Sequence, residues 1–155
     1  MIMLKQLIRV YQRPDGGLSL VVPSWNDTLV GYGYTHHATE AEWYEWAVTH
    51  GIDPAWTSMG DVDKSSLPSQ EFRDCWRHDG KKVYVDPALE ISERWVRIRK
   101  ERNQLLSDSD GPMARANEQG SKVQEWKTYR QALRDVPAQA DPRSIEWPVK
   151  PHNVP

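Results

Sequence analysis

His36, His37 and Glu40 place two imidazoles and a carboxylate within one turn of chain, the first grouping here with the donor types for a divalent metal. A zinc site needs three or four such ligands in a closed geometry, and neither HExxH nor CxxC supplies the remainder. Asp61-Val62-Asp63-Lys64-Ser65 repeats the opening of a calcium loop. The imitation then fails, because Ser66 stands where the loop needs glycine and Phe72 where it needs a bidentate glutamate. Cys75 and His78 are the ingredients of a thiol nucleophile and its base, yet a lone cysteine more commonly packs as a small apolar side chain. Gly31-Tyr32-Gly33 lacks the strand-to-helix context of a phosphate cradle, and no GxSxG or dinucleotide fingerprint occurs. Asn26-Asp27-Thr28 fits a glycosylation sequon by chance. No catalytic residue, metal or cofactor is expected, and a small metal-dependent enzyme is only a remote alternative.

Arg94, Arg97, Arg99, Lys100 and Arg102 are the densest cations. On helical spacing they spread around the cylinder, with Glu90, Glu93 and Glu101 between them, whereas phosphate binding needs a coherent field. Formal net charge is −2 and the sequence pI about 6.2, so no nucleic acid partner is expected. Mean hydropathy of −0.77 and short apolar runs give no membrane span. Met1-Ile-Met-Leu-Lys5 lacks the apolar run of a signal peptide, and one cysteine cannot form an internal disulfide. A soluble chain made in the cytoplasm is expected. Eight Trp and six Tyr are many for so small an aliphatic content, and both types are enriched at contact hot spots.

The elements that must position these residues give an α+β chain. Leu4–Tyr11 and Leu18–Val22 predict a β-hairpin around Arg13-Pro14-Asp15-Gly16-Gly17, whose residues suit a tight turn. Residues 23–37 predict a loop. Thr39 to Glu42 form a capping box for a helix carrying Trp43, Trp46 and Ala47 and ending at Gly51. Ile52–Ser66 is polar and turn-rich, a connector. Pro68–Trp76 predicts a short helix with Phe72 and Trp76 on one face, and Asp79-Gly80 turns into a strand over Lys82–Val85.

Asp86-Pro87 is a helix start, and Ala88, Ile91, Trp95, Ile98 and Leu105 give an apolar stripe ending near Ser107. Arg102 interrupts that stripe. After a break at Ser107–Pro112, Val123, Trp126, Tyr129, Leu133 and Val136 predict a second helix over about Asn117–Asp135. The two make an αα-hairpin. The last nineteen residues hold five of the eleven prolines, which predicts an extended tail. The expected organisation is thus a small α+β domain at 1–86, the αα-hairpin at 87–136 and the Pro-rich tail at 137–155.

Three separated pieces in order carry a resemblance. They are Arg99-Lys100-Glu101-Arg102-Asn103-Gln104-Leu105-Leu106, then Trp126-Lys127-Thr128-Tyr129-Arg130-Gln131-Ala132-Leu133-Arg134-Asp135, then Glu146-Trp147-Pro148-Val149-Lys150-Pro151. Together they resemble the phage tail assembly chaperone family over residues 95–151. The family's threonine-aspartate-tryptophan after the first helix is missing, since the chain reads Ser107-Asp108-Ser109-Asp110-Gly111. The resemblance implies a non-enzymatic assembly protein that contacts a phage tail, tail-fibre or baseplate protein in the host cytoplasm. A subunit retained in the baseplate, tail tip or fibre attachment is the alternative. Trp95, Arg102, Asn103, Trp126, Tyr129, Arg130, Trp147, Pro148 and Pro151 are the expected partner-binding residues. Exposed aromatics among them would cover an apolar surface of the client. The role of residues 1–86 and the oligomeric state stay open.

Overall fold

A computed structural model describes residues 7–22 and 40–152. The expectations for the loop at 23–37, His36 and His37, the sequon, Gly31-Tyr32-Gly33 and the Thr39 cap lie outside the described residues. The chain is α+β and divides into two compact units, Met1–Pro87 and Ala88–Pro155.

The first unit is built on a three-stranded antiparallel sheet of order β2-β1-β3, where β1 is Leu7–Gln12, β2 Leu18–Val21 and β3 Thr57–Asp63. The β1–β2 turn closes because Gly16 adopts φ 79°, a region costly for a residue with Cβ. The Asp15 carboxylate also accepts from the Gly17 amide at 2.8 Å. Helix α1, Glu40–Thr49, is tied to β1 by the Tyr11 hydroxyl, which donates to the Val48 carbonyl at 3.0 Å. Val10 packs in a second cluster with Trp76 and Val83, joined by Leu18, Leu20, Met59 and Val62. Trp76 and Val83 come from the two-stranded ribbon of β4, Trp76–His78, and β5, Val83–Val85.

Two expectations for this unit are corrected. Residues 52–66 are not merely a connector, because β3 pairs along the free edge of β1. Its sequence, Thr-Ser-Met-Gly-Asp-Val-Asp, lacks alternation and contains strand-poor Gly and Asp. Pairing is sustained by backbone bonds, with a register shift between Val10 and Tyr11 that leaves Met59 unopposed. The helix expected over 68–76 is a 3₁₀ stretch at Gln70–Cys75, interrupted at Phe72 with φ −118° and ψ 42°. Trp76 then begins β4, so Phe72 and Trp76 do not share a helical face.

The second unit differs from a two-helix hairpin. Helix α2 runs Pro87–Asp108, α3 Asp110–Gln119 and α4 Val123–Asp135. Gly111 and Pro112 do not separate helices but fill the first turn of α3, where proline's missing N–H costs nothing. The expected helix over 117–135 is broken at Gly120, whose left-handed backbone ends α3 while its N–H bonds the Asn117 carbonyl at 3.3 Å. Ala116, Trp126, Tyr129 and Leu133 form the core, with Leu105, Leu106, Met113, Val123 and Trp147 packed against it. Trp126 and Tyr129 meet edge to face at 5.8 Å and 85°.

Candidate functional site

Helix α4 supplies the centre of the region singled out by sequence, and its inward face is occupied. Trp126 and Leu133 are 0% exposed and Tyr129 is 5% exposed. Trp126 and Tyr129, expected from sequence as partner-binding aromatics, are thus core residues here rather than exposed ones. They lie on the stripe that makes α4 amphipathic, and burying that stripe against α3 and the end of α2 is what holds the unit together. Burial also raises the Tyr129 phenol, with the Asp108 charge adding to the rise, so it stays neutral at ordinary pH.

Arg130 is likewise turned into the fold. Its Nη1 donates to the Leu106 carbonyl at 3.0 Å, to Ser109 Oγ and to Asp110 Oδ1 at 2.6 Å. Ser109 is the one buried polar residue among those described, at 1% exposure. Its hydroxyl donates to the Leu106 carbonyl at 2.6 Å, and its carbonyl accepts from Met113 N at 3.0 Å. One cation thus fastens α4 to the corner between α2 and α3. Sequence reasoning missed Ser109 and Asp110 because nothing in a polar loop announces a partner twenty residues away.

On α2, Trp95 is half-buried with the Arg99 guanidinium 6.0 Å from its ring centre, within cation–π range. Arg102 is half-buried on the inward side near Ile98 and Leu105, and its Nε is buried without a hydrogen-bond partner. Asn103 is exposed on the opposite side.

The tail after α4 folds back. Gln139 and Glu146 form a reciprocal pair: the Gln139 amide donates to the Glu146 carbonyl, and the Glu146 N–H donates to Gln139 Oε1, both at 2.9 Å. Arg143 reaches Glu90 of α2 at 3.2 Å. The Glu90 carboxyl is held below its usual range by Arg143 and then by Arg94. Trp147 packs against the core, and Lys122 Nζ donates to the His152 carbonyl at 3.4 Å. Pro148 and Pro151, both half-buried, line one wall of a groove of about 610 Å³ whose other wall is α4 at Glu125, Thr128 and Ala132. Val149 on its rim is 90% exposed. The sequence-predicted residues therefore divide. Trp126, Tyr129 and Arg130 build the unit; Pro148 and Pro151 line an open groove; Asn103 lies on a separate exposed face.

Among the described residues of the first unit, Arg9, Tyr44, Glu45 and Asp61 form a polar cluster. Arg9 pairs with Glu45 at 2.8 Å and with Asp61, and the Tyr44 hydroxyl donates to Asp61 at 2.8 Å. Burial works against the Asp61 charge, but the hydrogen bonds from Arg9 and Tyr44 win and lower its pKa. Burial, then the bond to Asp61, pushes the Tyr44 phenol well up. Asp63 accepts from Ser65 N at 2.7 Å and Ser65 Oγ at 2.6 Å. The two aspartates of the calcium-like run are thus engaged in a strand edge and a turn. Cys75 is buried, and His78 Nδ1 accepts from the Gly80 N–H at 3.0 Å. Among the described residues no three His, Cys, Asp or Glu gather as a metal site, and no helix is long and apolar enough to cross a membrane.

No curated protein and no solved structure matches the chain. A family model does match: residues 95–152, which hold most of α2, all of α3 and α4 and the folded-back tail, match the phage tail assembly chaperone protein family.

Proposed function

We propose that the protein serves bacteriophage tail assembly as a chaperone or adaptor that holds a tail or tail-fibre polypeptide in the host cytoplasm, without catalysis. The observation that carries this reading is the family match over 95–152. The packing of the matched region changes how contact would be made. Trp126 and Tyr129 cannot cover a client while they form the core, so the contacting groups are outward ones: Asn103 on α2, and Pro148, Val149 and Pro151 along the tail groove. Such a mixed apolar and polar rim suits protein contact better than small-molecule chemistry.

Affinity capture of the tagged full-length chain from phage-producing cells tests the reading. A tail, fibre or baseplate polypeptide should be recovered in a fixed ratio, and mass spectrometry of purified particles should lack the chain. Capture with no phage tail polypeptide would refute a role in tail assembly. Recovery in particles at constant copy number would replace a transient factor with a retained subunit.

A further inference from the structure

The cations of α2 are not equivalent. Arg94 is neutralised by Glu90 at 2.8 Å and Arg97 by Glu93 at 2.9 Å, each one turn earlier on the helix. Among the described residues, Arg99 and Lys100 form no ion pair; the Arg99 guanidinium lies over Trp95. Both belong to an exposed stripe with Val96, Asn103 and Gln104, at the i, i+3, i+4, i+7, i+8 spacing of one helical face. The stripe lines a shallow depression of about 530 Å³, and Val96 stays 55% exposed within it. The Gln104 amide donates to Asp108 at 2.8 Å, which fixes one end of the stripe.

An unpaired double positive charge around an exposed valine is complementary to carboxylates flanking an apolar side chain. We propose that this face docks an acidic segment of the tail polypeptide held by this protein, an inference that rests on the assembly role above. The segment's carboxylates pair with Arg99 and Lys100, its apolar side chain covers Val96, and the Asn103 amide hydrogen-bonds its backbone. A nucleic acid fits less well. Among the described residues, only two of the outward cations on α2 form no ion pair, and the ion-paired Glu93 and the exposed Glu101 border them on the same helix, whereas backbone binding gains from each phosphate neutralised in turn.

The test uses the full-length chain with a benzophenone amino acid at position 96, and at exposed Ala114 of α3 as the control, irradiated in phage-producing cells. A crosslink from position 96 to a net-acidic segment of a tail polypeptide is expected, well above the control. Arg99→Glu with Lys100→Glu should reduce that crosslink about tenfold, since like charges then face each other. Arg99→Lys should keep it, and the helical circular-dichroism signal should be unchanged in both. A crosslink to a segment without net negative charge, to a second copy or to nucleic acid would overturn the proposal, as would a yield insensitive to the charge reversal. If a tail polypeptide co-purifies equally with wild type and the reversed variant, the assembly role stands and this face is not its site. If none co-purifies with wild type, both fall.

Discussion

Trp126 and Arg130 stand one turn apart on α4 and fasten the same corner by different physics. Trp126 contributes area: it is fully buried among Ala116, Tyr129 and Leu133. Trp126→Ala should destabilise the second unit by about 3–5 kcal/mol, because the cavity adds to the lost transfer energy. Denaturant titration of the tryptophan-independent far-UV signal would measure it, and a loss under 1 kcal/mol would contradict the packing. Arg130 contributes donors to Leu106, Ser109 and Asp110. Asp110 is largely exposed, so the ion pair itself is weak, whereas the bonds at Ser109 and Leu106 are sheltered. Arg130→Ala is therefore expected to cost about 2–3 kcal/mol, and Asp110→Ala less than about 1 kcal/mol. Equal losses in the same titration would mean that the exposed pair carries the clasp. Both residues fall within the segment that resembles the family, and the resemblance alone does not separate a residue that shapes the module from one that touches a partner. Periodicity does hint at it, since Val123, Trp126, Tyr129 and Leu133 form one stripe that has to face a core.

At the scale of elements, the chain from Gln119 to Lys122 decides whether the C-terminal region holds two helices or three. Gly120 has φ 64°, and a Cβ built there would touch nothing within 4 Å. Gly120→Ala should thus cost about 1–2 kcal/mol through backbone strain alone. Lys122 adopts φ 57° at the start of α4, with no side-chain cap and a positive charge at the helix's positive end. Lys122→Asn suits the left-handed backbone and relieves the charge, and should raise stability by about 1 kcal/mol despite losing the long bond to His152. Thermal melts of the two variants should move in opposite directions; a shared direction would argue against the left-handed pair. Gly120 alone announced this break, because the polar residues around it leave the apolar stripe of the expected helix undisturbed. Strand β3 was hidden because Gly60, Asp61 and Asp63 are strand-poor and its burial does not alternate. The elements that were legible, β1, β2, α1, β5 and α2, each carry a turn or cap signal beside apolar residues, whereas α4 is marked by its apolar rhythm alone. Pro148 and Pro151 were legible as a tail, but not the groove they line, which depends on Trp147 packing back on the core.

For the whole molecule, the carboxylates set the response to acid, and each compact unit contains carboxyls that the fold keeps ionised: Asp61 beside the turn carboxyls Asp15, Asp63 and Asp79 in the first, Glu90 in the second. In the first unit Asp61 is 28% exposed, between the Arg9 guanidinium and the Tyr44 hydroxyl, and its pKa lies below the ordinary 3.8. In the second unit Glu90 is held below 4.5 by Arg143 and Arg94. A carboxyl lowered by folding binds its proton less readily in the native state than in the unfolded chain. Its contribution is complete above the unfolded value and drains away as the pH falls through the folded one. Glu90 should begin to lose its share first, near pH 4.5, and Asp61 only below 3.8. Arg143 is 46% exposed, so its pair with Glu90 responds to salt, whereas Arg9, at 12% exposure, shelters its side of the Asp61 cluster. The unfolding midpoint of the full chain should therefore hold steady from neutrality to about pH 5 and fall more steeply below pH 4. Asp61→Asn should lower stability at neutral pH and flatten the acid limb, because the titrating group has gone while Arg9 and Tyr44 are left with a neutral acceptor. A variant that loses stability equally at pH 7 and pH 3 would show that the Arg9–Asp61–Tyr44 cluster does not govern the acid response.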